Sequence, residues 1–404
     1  MYPRAGTLSA PPVAIDHNAG RPPRQIQWSI CIQREIFRDL VIEAYYVGNR
    51  GVWWEANDLI NVNALTPERI ASFGLDVNNP DDRKLLTSPL NSALAAQRGF
   101  DKPPYAGFPM TATVAQSLRP FPQFAGSTDS AQAIRYMWAP LGKTWYDSLQ
   151  LKVTKRYSHG LDFTGAFTWQ KELTMGAEQV GNAMGVSGAA VNNVFDRHVN
   201  KYLSMLSRPI TFVAAVNYTV PKWNTYKVLS WILRDWTVAA TLQYASGMPI
   251  QAPIAQNQLS SVLFQNTFAN RVPGEPLFTK DLNCHCIDPN KDFVLNPNAW
   301  VDPPAGQFGT GAAYYNDYRQ QRRPSENMSL GRNFQLKEGV SLNIRADFSN
   351  IFNRTQMSNP TSTNAKATQT RSASGQPISG FGYINSKTVA APPRAGIIVV
   401  RFQF

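Results

Sequence analysis

Hydrophobic side chains occupy every second position in nine stretches of this chain, and a period of two predicts β-strands. The last stretch, Arg394 to Phe404, is the plainest. Ile398, Val400, Phe402 and Phe404 share one face, and Ile397, Val399, Arg401 and Gln403 share the other. The first two stretches read alike. Ile26, Trp28, Ile30 and Ile32 alternate with Gln27, Ser29, Cys31 and Gln33, and Leu40, Ile42, Ala44 and Tyr46 with Val41, Glu43 and Tyr45. In the third, Leu149, Leu151 and Val153 alternate with Ser148, Gln150, Lys152 and Thr154. In the fourth, Leu161, Phe163, Gly165, Phe167 and Trp169 alternate with Asp162, Thr164, Ala166, Thr168 and Gln170. The fifth and sixth place Ile210, Phe212, Ala214, Val216 and Tyr218, then Trp236, Val238, Ala240, Leu242 and Tyr244, on their apolar faces. The seventh places Met328, Leu330 and Phe334 there, and the eighth Val340, Leu342, Ile344, Ala346 and Phe348.

The eighth stretch divides most sharply. Arg345 and Asp347 share a face with Ser341, Asn343 and Ser349, and the opposite face carries no polar atom in its side chains. A strand of about 10 residues with one apolar and one polar face suits a transmembrane β-barrel, where a mid-bilayer Arg on the lipid side costs about 2–4 kcal/mol. Gln150, Lys152, Arg345, Asp347 and Arg401 then face a wet lumen. Arg332 breaks the scheme by falling in phase with Leu330 and Phe334. Either it snorkels to the interface near a strand end, or a bulge shifts the phase there.

The connections alternate in length. Gln33–Asp39, Arg156–Gly160 and Gln335–Gly339 are short, and Pro221–Asp235 is modest. Gly48–Lys143, Lys171–Leu206, Ser246–Pro324 and Asn350–Pro393 are long. Tight periplasmic turns with long outer loops are outer-membrane barrel topology. A soluble sandwich has no reason to gather every long loop at one end. The predicted fold is therefore all-β: an antiparallel transmembrane barrel portion of about nine strands over residues 25–404, after an irregular segment, 1–24. Pro3, Pro11, Pro12, Pro22 and Pro23 argue against a further strand in that segment. With short turns in the periplasm, the first and ninth strands both run inward. An odd count cannot close an all-antiparallel bacterial barrel, so the chain is expected to be the C-terminal part of a larger one. Within the long loops, Pro103-Pro104, Pro303-Pro304 and Pro392-Pro393 interrupt regular structure. The polar runs 359–364 and 370–375 read as mobile. Thr66-Pro67-Glu68 and Ser88-Pro89-Leu90 read as caps of short helices.

Composition supports the barrel. Hydrophobic residues make up 43 % of the chain and charged residues 16 %, against a soluble average of about 25 % charged. No apolar run approaches the roughly 20 residues of a membrane helix. The N-terminus, M-Y-P-R-A-G-T-L-S-A-P-P, has no apolar core of signal-peptide length, so the chain as it stands is not expected to direct its own export. The net charge of +12 is scattered, without a basic block or nucleic-acid motif. A solvated lumen or anionic lipid headgroups account for it better than nucleic acid. Cys284 and Cys286 flank His285 and read either as a redox or metal fragment, with too few ligands for a zinc site, or as loop cysteines without chemistry.

In these features the chain resembles the C-terminal barrel half of TonB-dependent outer-membrane receptors. The likeness is closest to the subclass with an N-terminal carboxypeptidase-regulatory-like domain. The residues that carry it are Glu43-Ala44-Tyr45-Tyr46-Val47-Gly48-Asn49-Arg50-Gly51, Leu118-Arg119-Pro120-Phe121-Pro122-Gln123-Phe124, Tyr146-Asp147-Ser148-Leu149-Gln150-Leu151-Lys152-Val153 with Lys155-Arg156-Tyr157-Ser158, and Phe167-Thr168-Trp169-Gln170-Lys171. Arg345-Ala346-Asp347-Phe348-Ser349-Asn350-Ile351-Phe352-Asn353 and the terminal Arg401-Phe402-Gln403-Phe404 complete the series. None is catalytic, and their order is the specific part. The resemblance implies a barrel of about 22 strands with a plugged lumen and energised uptake of a scarce ligand. It implies as partners outer-membrane lipid, the remaining barrel and plug, and the TonB system. The plug and the TonB-contacting segment are not visible in this sequence. The terminal face Ile398, Val400, Phe402 and Phe404 is the candidate assembly signal.

Nothing marks an enzyme, a metal centre or a cofactor site. Candidate ligand contacts are Arg319, Arg322 and Arg323, which with Asp317 precede the seventh strand and read either as converging anion contacts or as a solvated loop edge. Trp53 and Trp54 read either as a stacking platform or as part of the interfacial aromatic girdle, with Trp145, Trp169 and Trp236. Two other functions stay open: a secreted β-rich polysaccharide-binding module, and a passive porin-like pore built from several chains.

Overall fold

A computed structural model of the chain describes residues 4–10, 14–125, 134, 136–177, 190–221, 234–388 and 391–404. Nine long strands are present among them: β1 (Arg24–Phe37), β2 (Leu40–Trp54), β3 (Gly142–Ser158), β4 (Leu161–Met175), β5 (Ile210–Thr219), β6 (Trp236–Ala245), β7 (Ser325–Lys337), β8 (Val340–Ser349) and β9 (Ala395–Gln403). They form one antiparallel sheet in sequence order, each strand beside its predecessor.

Register decides how the nine patterns combine, because directly opposed residues project from the same face of a sheet. Ile30 opposes Tyr46, Tyr46 opposes Leu149, Leu149 opposes Trp169, and Trp169 opposes Ile210. Across the other strands, Tyr218, Val238, Leu330, Ala346 and Ile398 form a second such row. All nine apolar sets thus lie on one continuous face, and the polar sets on the other. A one-residue slip between any two strands would mix them. The apolar face is open to its surroundings: Ile30 is 65 %, Trp169 60 % and Ile398 75 % exposed. Those side chains are not the interior of a two-layer sandwich. They are the lipid face.

The short turns are tighter than expected. Arg38-Asp39, His159-Gly160 and Glu338-Gly339 join their strands directly. His159 (φ 52°) and Gly160 (φ 82°) are both left-handed, as hairpins matching the strand twist require. The connection at 222–233 lies outside the described residues. Arg332 stays in register, opposing Trp236 and Ile344, so no bulge shifts the phase there. Its guanidinium lies 4.6 Å from the Phe334 ring centre and 5.7 Å from that of Trp236.

The sheet does not close. β1 and β9 are its two edges, and all 14 residues of β1 are exposed. Among the described residues, those before β1 add no strand to this sheet. Ala14–Ile15 pairs instead with Tyr136–Met137 in the outer loops.

The face assignment makes a direct prediction. Leu342→Arg sets a charge in lipid at about 2–4 kcal/mol and should sharply lower the protein recovered in outer membranes. Asn343→Arg, one residue on, should leave recovery near the parent level.

Candidate functional site

The polar face carries a connected set of side chains. Lys152 Nζ lies 2.9 Å from Glu43 Oε2, and the Tyr45 hydroxyl donates to Glu43 Oε1 at 2.9 Å. Cys31, Tyr45 and Gln150 follow one another across β1, β2 and β3. Gln150 Nε2 donates to Ser148 Oγ at 3.2 Å. Farther round, Arg345 Nε pairs with Asp347 at 2.9 Å, and Arg401 opposes Asn343. Gln150, Lys152, Arg345, Asp347 and Arg401 therefore share the face that the alternation assigned to the lumen. The terminal face of β9 lies open on the opposite side, with Phe404 97 % exposed.

The long loops build a crown with cores of their own. Four short helices, α1 (Pro67–Ala71), α2 (Pro80–Thr87), α3 (Ala93–Gln97) and α4 (Val114–Ser117), pack with α5 (Leu259–Val262) around Leu65, Ile70, Leu85, Leu86 and Leu90. A second core joins Ile250, Phe268, Leu295 and Tyr318 to Phe381 and Ile384. Thr66 caps α1 as expected, its hydroxyl accepting from Arg69 N at 3.1 Å. Ser88 instead ends α2, whose N-cap is Asn79. Within the run 370–375, Thr370–Arg371 pairs with Pro377–Ser379.

The run Leu118-Arg119-Pro120-Phe121-Pro122-Gln123-Phe124 anchors this crown. Arg119 is 1 % exposed. Its Nε donates to Asn63 O at 2.9 Å and its Nη1 to Gln116 Oε1 at 3.2 Å, with the guanidinium 4.4 Å from the Phe264 ring centre. Burial pushes that guanidinium down to about 10. Gln116 Nε2 donates to Pro122 O and Phe124 O, and Asn63 exchanges hydrogen bonds with the Phe121 backbone. These contacts are structural.

Of the arginines before β7, Arg319 and Arg322 line one cavity together with Asp317, and Arg323 lies outside it. Arg319 donates to the carbonyls of Ser207, Gly247 and Asn316, so it ties loops together, and burial lowers its pKa. Arg323 donates to Asn359 Oδ1 at 3.1 Å. Arg322 is exposed and lines two neighbouring cavities, of about 390 and 430 Å³. Trp53 lies apart from them, beside a cavity of about 530 Å³, its ring centre 3.4 Å from the Arg21 guanidinium and 4.5 Å from that of Arg24. Trp54 is half-buried beside Gly51. Trp145 lies under Lys201, whose Nζ is 4.1 Å from the ring centre. Trp169 opposes Ile210, the first residue of β5, and Trp236 is the first residue of β6. Cys284 and Cys286 are bonded to each other in a disulfide, which corrects their reading as cysteines without chemistry.

Across residues 2–396 the sequence matches the family model described as an outer membrane beta barrel domain. The chain belongs to that family. Its location is the cell outer membrane, and the open sheet is an incomplete barrel. No curated protein matches the sequence. Among solved structures, P. aeruginosa FpvA bound to a heterologous pyoverdine aligns over 100 % of this chain and 29 % of its own, at 8 % identity and a TM-score of 0.38. The outer membrane transporter YddB from Escherichia coli aligns over 98 % of this chain and 34 % of its own, at 10 % identity and a TM-score of 0.38. The chain thus spans about a third or less of those proteins.

In this barrel domain two polar residues of the crown escape sequence reading. Asn192 is fully buried. Its amide donates to Gly309 O and Gly311 O and accepts from Thr267 Oγ1 and Phe268 N, at 2.6–3.1 Å. Asp82 accepts from Asp76 N at 2.8 Å and Arg98 Nη2 at 2.7 Å. Burial alone would raise the Asp82 carboxyl, but these donors outweigh it and hold the group below its ordinary 3.8.

Asn192→Ala should loosen the crown by about 1–3 kcal/mol, the cost of stranding buried partners, and limited proteolysis should cut near Gly309–Gly311 first. The Asp82 contribution is complete above the unfolded value of 3.8 and disappears as pH falls from there through the lower folded value. Acidification below about pH 4 should therefore speed proteolysis of α1–α3. Asp82→Asn should be cut faster at neutral pH and lose that acid dependence.

Proposed function

We propose that this chain forms the C-terminal wall and outer crown of a TonB-dependent outer-membrane transporter, of the subclass with an N-terminal carboxypeptidase-regulatory-like domain. The open sheet carries this reading. The β1 and β9 edges present unpaired N–H and C=O groups, each costing several kcal/mol in hydrocarbon. Those edges require further strands, and one larger barrel supplies them with no free edge left. The polar face then lines a lumen wide enough for a plug, and the crown stands where an incoming ligand first meets the protein. The role is uptake and not catalysis. Partners are the remaining barrel and plug, the TonB system and an unidentified ligand. A secreted polysaccharide-binding module fits poorly, since a nine-strand apolar face would stand bare in water.

Mass spectrometry of native outer membranes tests the reading. Peptides from these residues should lie in one polypeptide well above the 44.9 kDa of this chain, together with plug sequence and further strands. A native product of 44.9 kDa that conducts ions from several copies, without an energised inner membrane, would establish the porin-like pore instead.

A further inference from the structure

Cys284 and Cys286 are joined across a single residue, and Cys284, His285 and Cys286 are all exposed. His285 is left-handed (φ 54°), which turns the chain back so that the two sulfurs meet. A bridge around so short a loop removes little entropy from the unfolded chain. The turn also has other ties. Asn283 N donates to Asp281 Oδ1 at 2.9 Å, and Cys284 N to Asp281 O at 3.1 Å. Leu282 is buried in the second core of the crown. The fold therefore does not depend on this bond, and the bridge lies open to solvent. Exposed disulfides are the ones open to exchange, whereas structural ones resist it.

The two sulfurs are not equivalent. Cys286 N donates to Cys284 Sγ at 3.2 Å. An N–H aimed at a sulfur stabilises it as a thiolate, so Cys284 is the better leaving group and Cys286 the sulfur to attack. One residue away, Asn283 lines the cavity of about 430 Å³ together with Arg319 and Arg322. Asn283 Oδ1 accepts from Arg322 N at 2.9 Å, which ties Arg322 to the turn. Two carboxylates also line the cavity, those of Asp281 and Asp317. Asp317 is paired with Arg271 at 2.8 Å, which leaves two arginines against one aspartate. The space beside the disulfide is thus net positive. It favours an incoming thiolate that carries a second negative charge.

We propose that Cys284–Cys286 is a thiol–disulfide exchange site for small thiols that carry a carboxylate, with the carboxylate on Arg322. The incoming thiolate sulfur bonds to Cys286 Sγ as the S–S bond breaks, and Cys284 leaves as a thiolate that takes a proton from water. A second thiolate then attacks the small-molecule sulfur of the mixed disulfide. Cys286 leaves in turn, and the two small thiols depart as their own disulfide. They lose two electrons, and the protein pair gains them. The reaction needs only the crown and does not rest on the transport reading.

The full protein, extracted from outer membranes in a neutral detergent, tests this by peptide mass spectrometry. Free thiols, Cys31 among them, are first blocked with iodoacetamide. The protein then meets thioglycolate or neutral mercaptoethanol, and newly freed thiols are trapped with a second alkylating reagent. Each rate is divided by that on a free cyclic peptide of residues 282–287, which cancels the intrinsic reactivity of the thiol. The trapped thiol should be Cys284, with the small thiol on Cys286. The corrected rate should be about threefold higher for thioglycolate, as one exposed ion pair allows. Arg322→Gln should remove that advantage and Arg322→Lys should keep it. Lys84→Gln, at an exposed position of α2, should leave it unchanged. No exchange at thiol concentrations that open the free peptide, or capture of the small thiol on Cys284 instead, would overturn the proposal. Equal corrected rates for the two thiols, or an advantage that survives Arg322→Gln, would overturn it as well.

Discussion

Backbone hydrogen bonding in hydrocarbon is the constraint on which this structure rests. Water cannot serve an exposed N–H or C=O inside the bilayer, so each strand must be paired along its length. Pairing fixes register, and register fixes which side chains share a face. Here nine sequence patterns, each ambiguous alone, are locked into one apolar surface and one polar surface. Row by row, Ile30 to Ile210 and Tyr218 to Ile398 face lipid. Arg332 is an exception inside β7, opposite Ile344, and two others lie toward outer strand ends. On β3 the apolar run ends at Asp147, which pairs with Arg50 at 2.9 Å. On β7, Glu326 at the outer end is covered by Arg354.

Outside the membrane a different force takes over. The crown is held by apolar cores and by buried polar ties, among them Asn192, Arg119 and Asp82. Connections of such length are uncommon unless they carry structure or function of their own. Here they carry structure, which gives a rigid support for whatever the outer surface binds. The disulfide-closed turn at Cys284–Cys286 belongs to the same economy of short constraints on long loops.

The membrane part was legible in the sequence because lipid imposes a period of two on every strand that crosses it. Strand position and pairing order followed, and so did the shared polar face of the sheet. Strand length did not. β3 and β4 run on to Gly142 and Met175, past the point where the surroundings demand alternation. Glu326 lies within β7, which begins at Ser325, ahead of Met328, the first apolar position of the seventh stretch. The crown was largely illegible, since its contacts join residues far apart in the chain. Nothing local marks Arg119 as buried or Asn192 as a tie between loops. Three arginines within five positions read either as converging contacts or as a loop edge; Arg319 and Arg322 line one cavity, while Arg323 donates to Asn359. Trp53 looked like girdle or platform and is held between Arg21 and Arg24.

The most direct measurement is a spin-label scan of residues 340–349 with the protein in a bilayer. One cysteine-linked label is placed at each position, and its collisions with oxygen and with a water-soluble nickel chelate are compared. Oxygen contact should peak at 342, 344, 346 and 348, and nickel contact at 341, 343, 345 and 347. The same accessibility at successive positions, or the two probes peaking together, would contradict a strand that separates lipid from water.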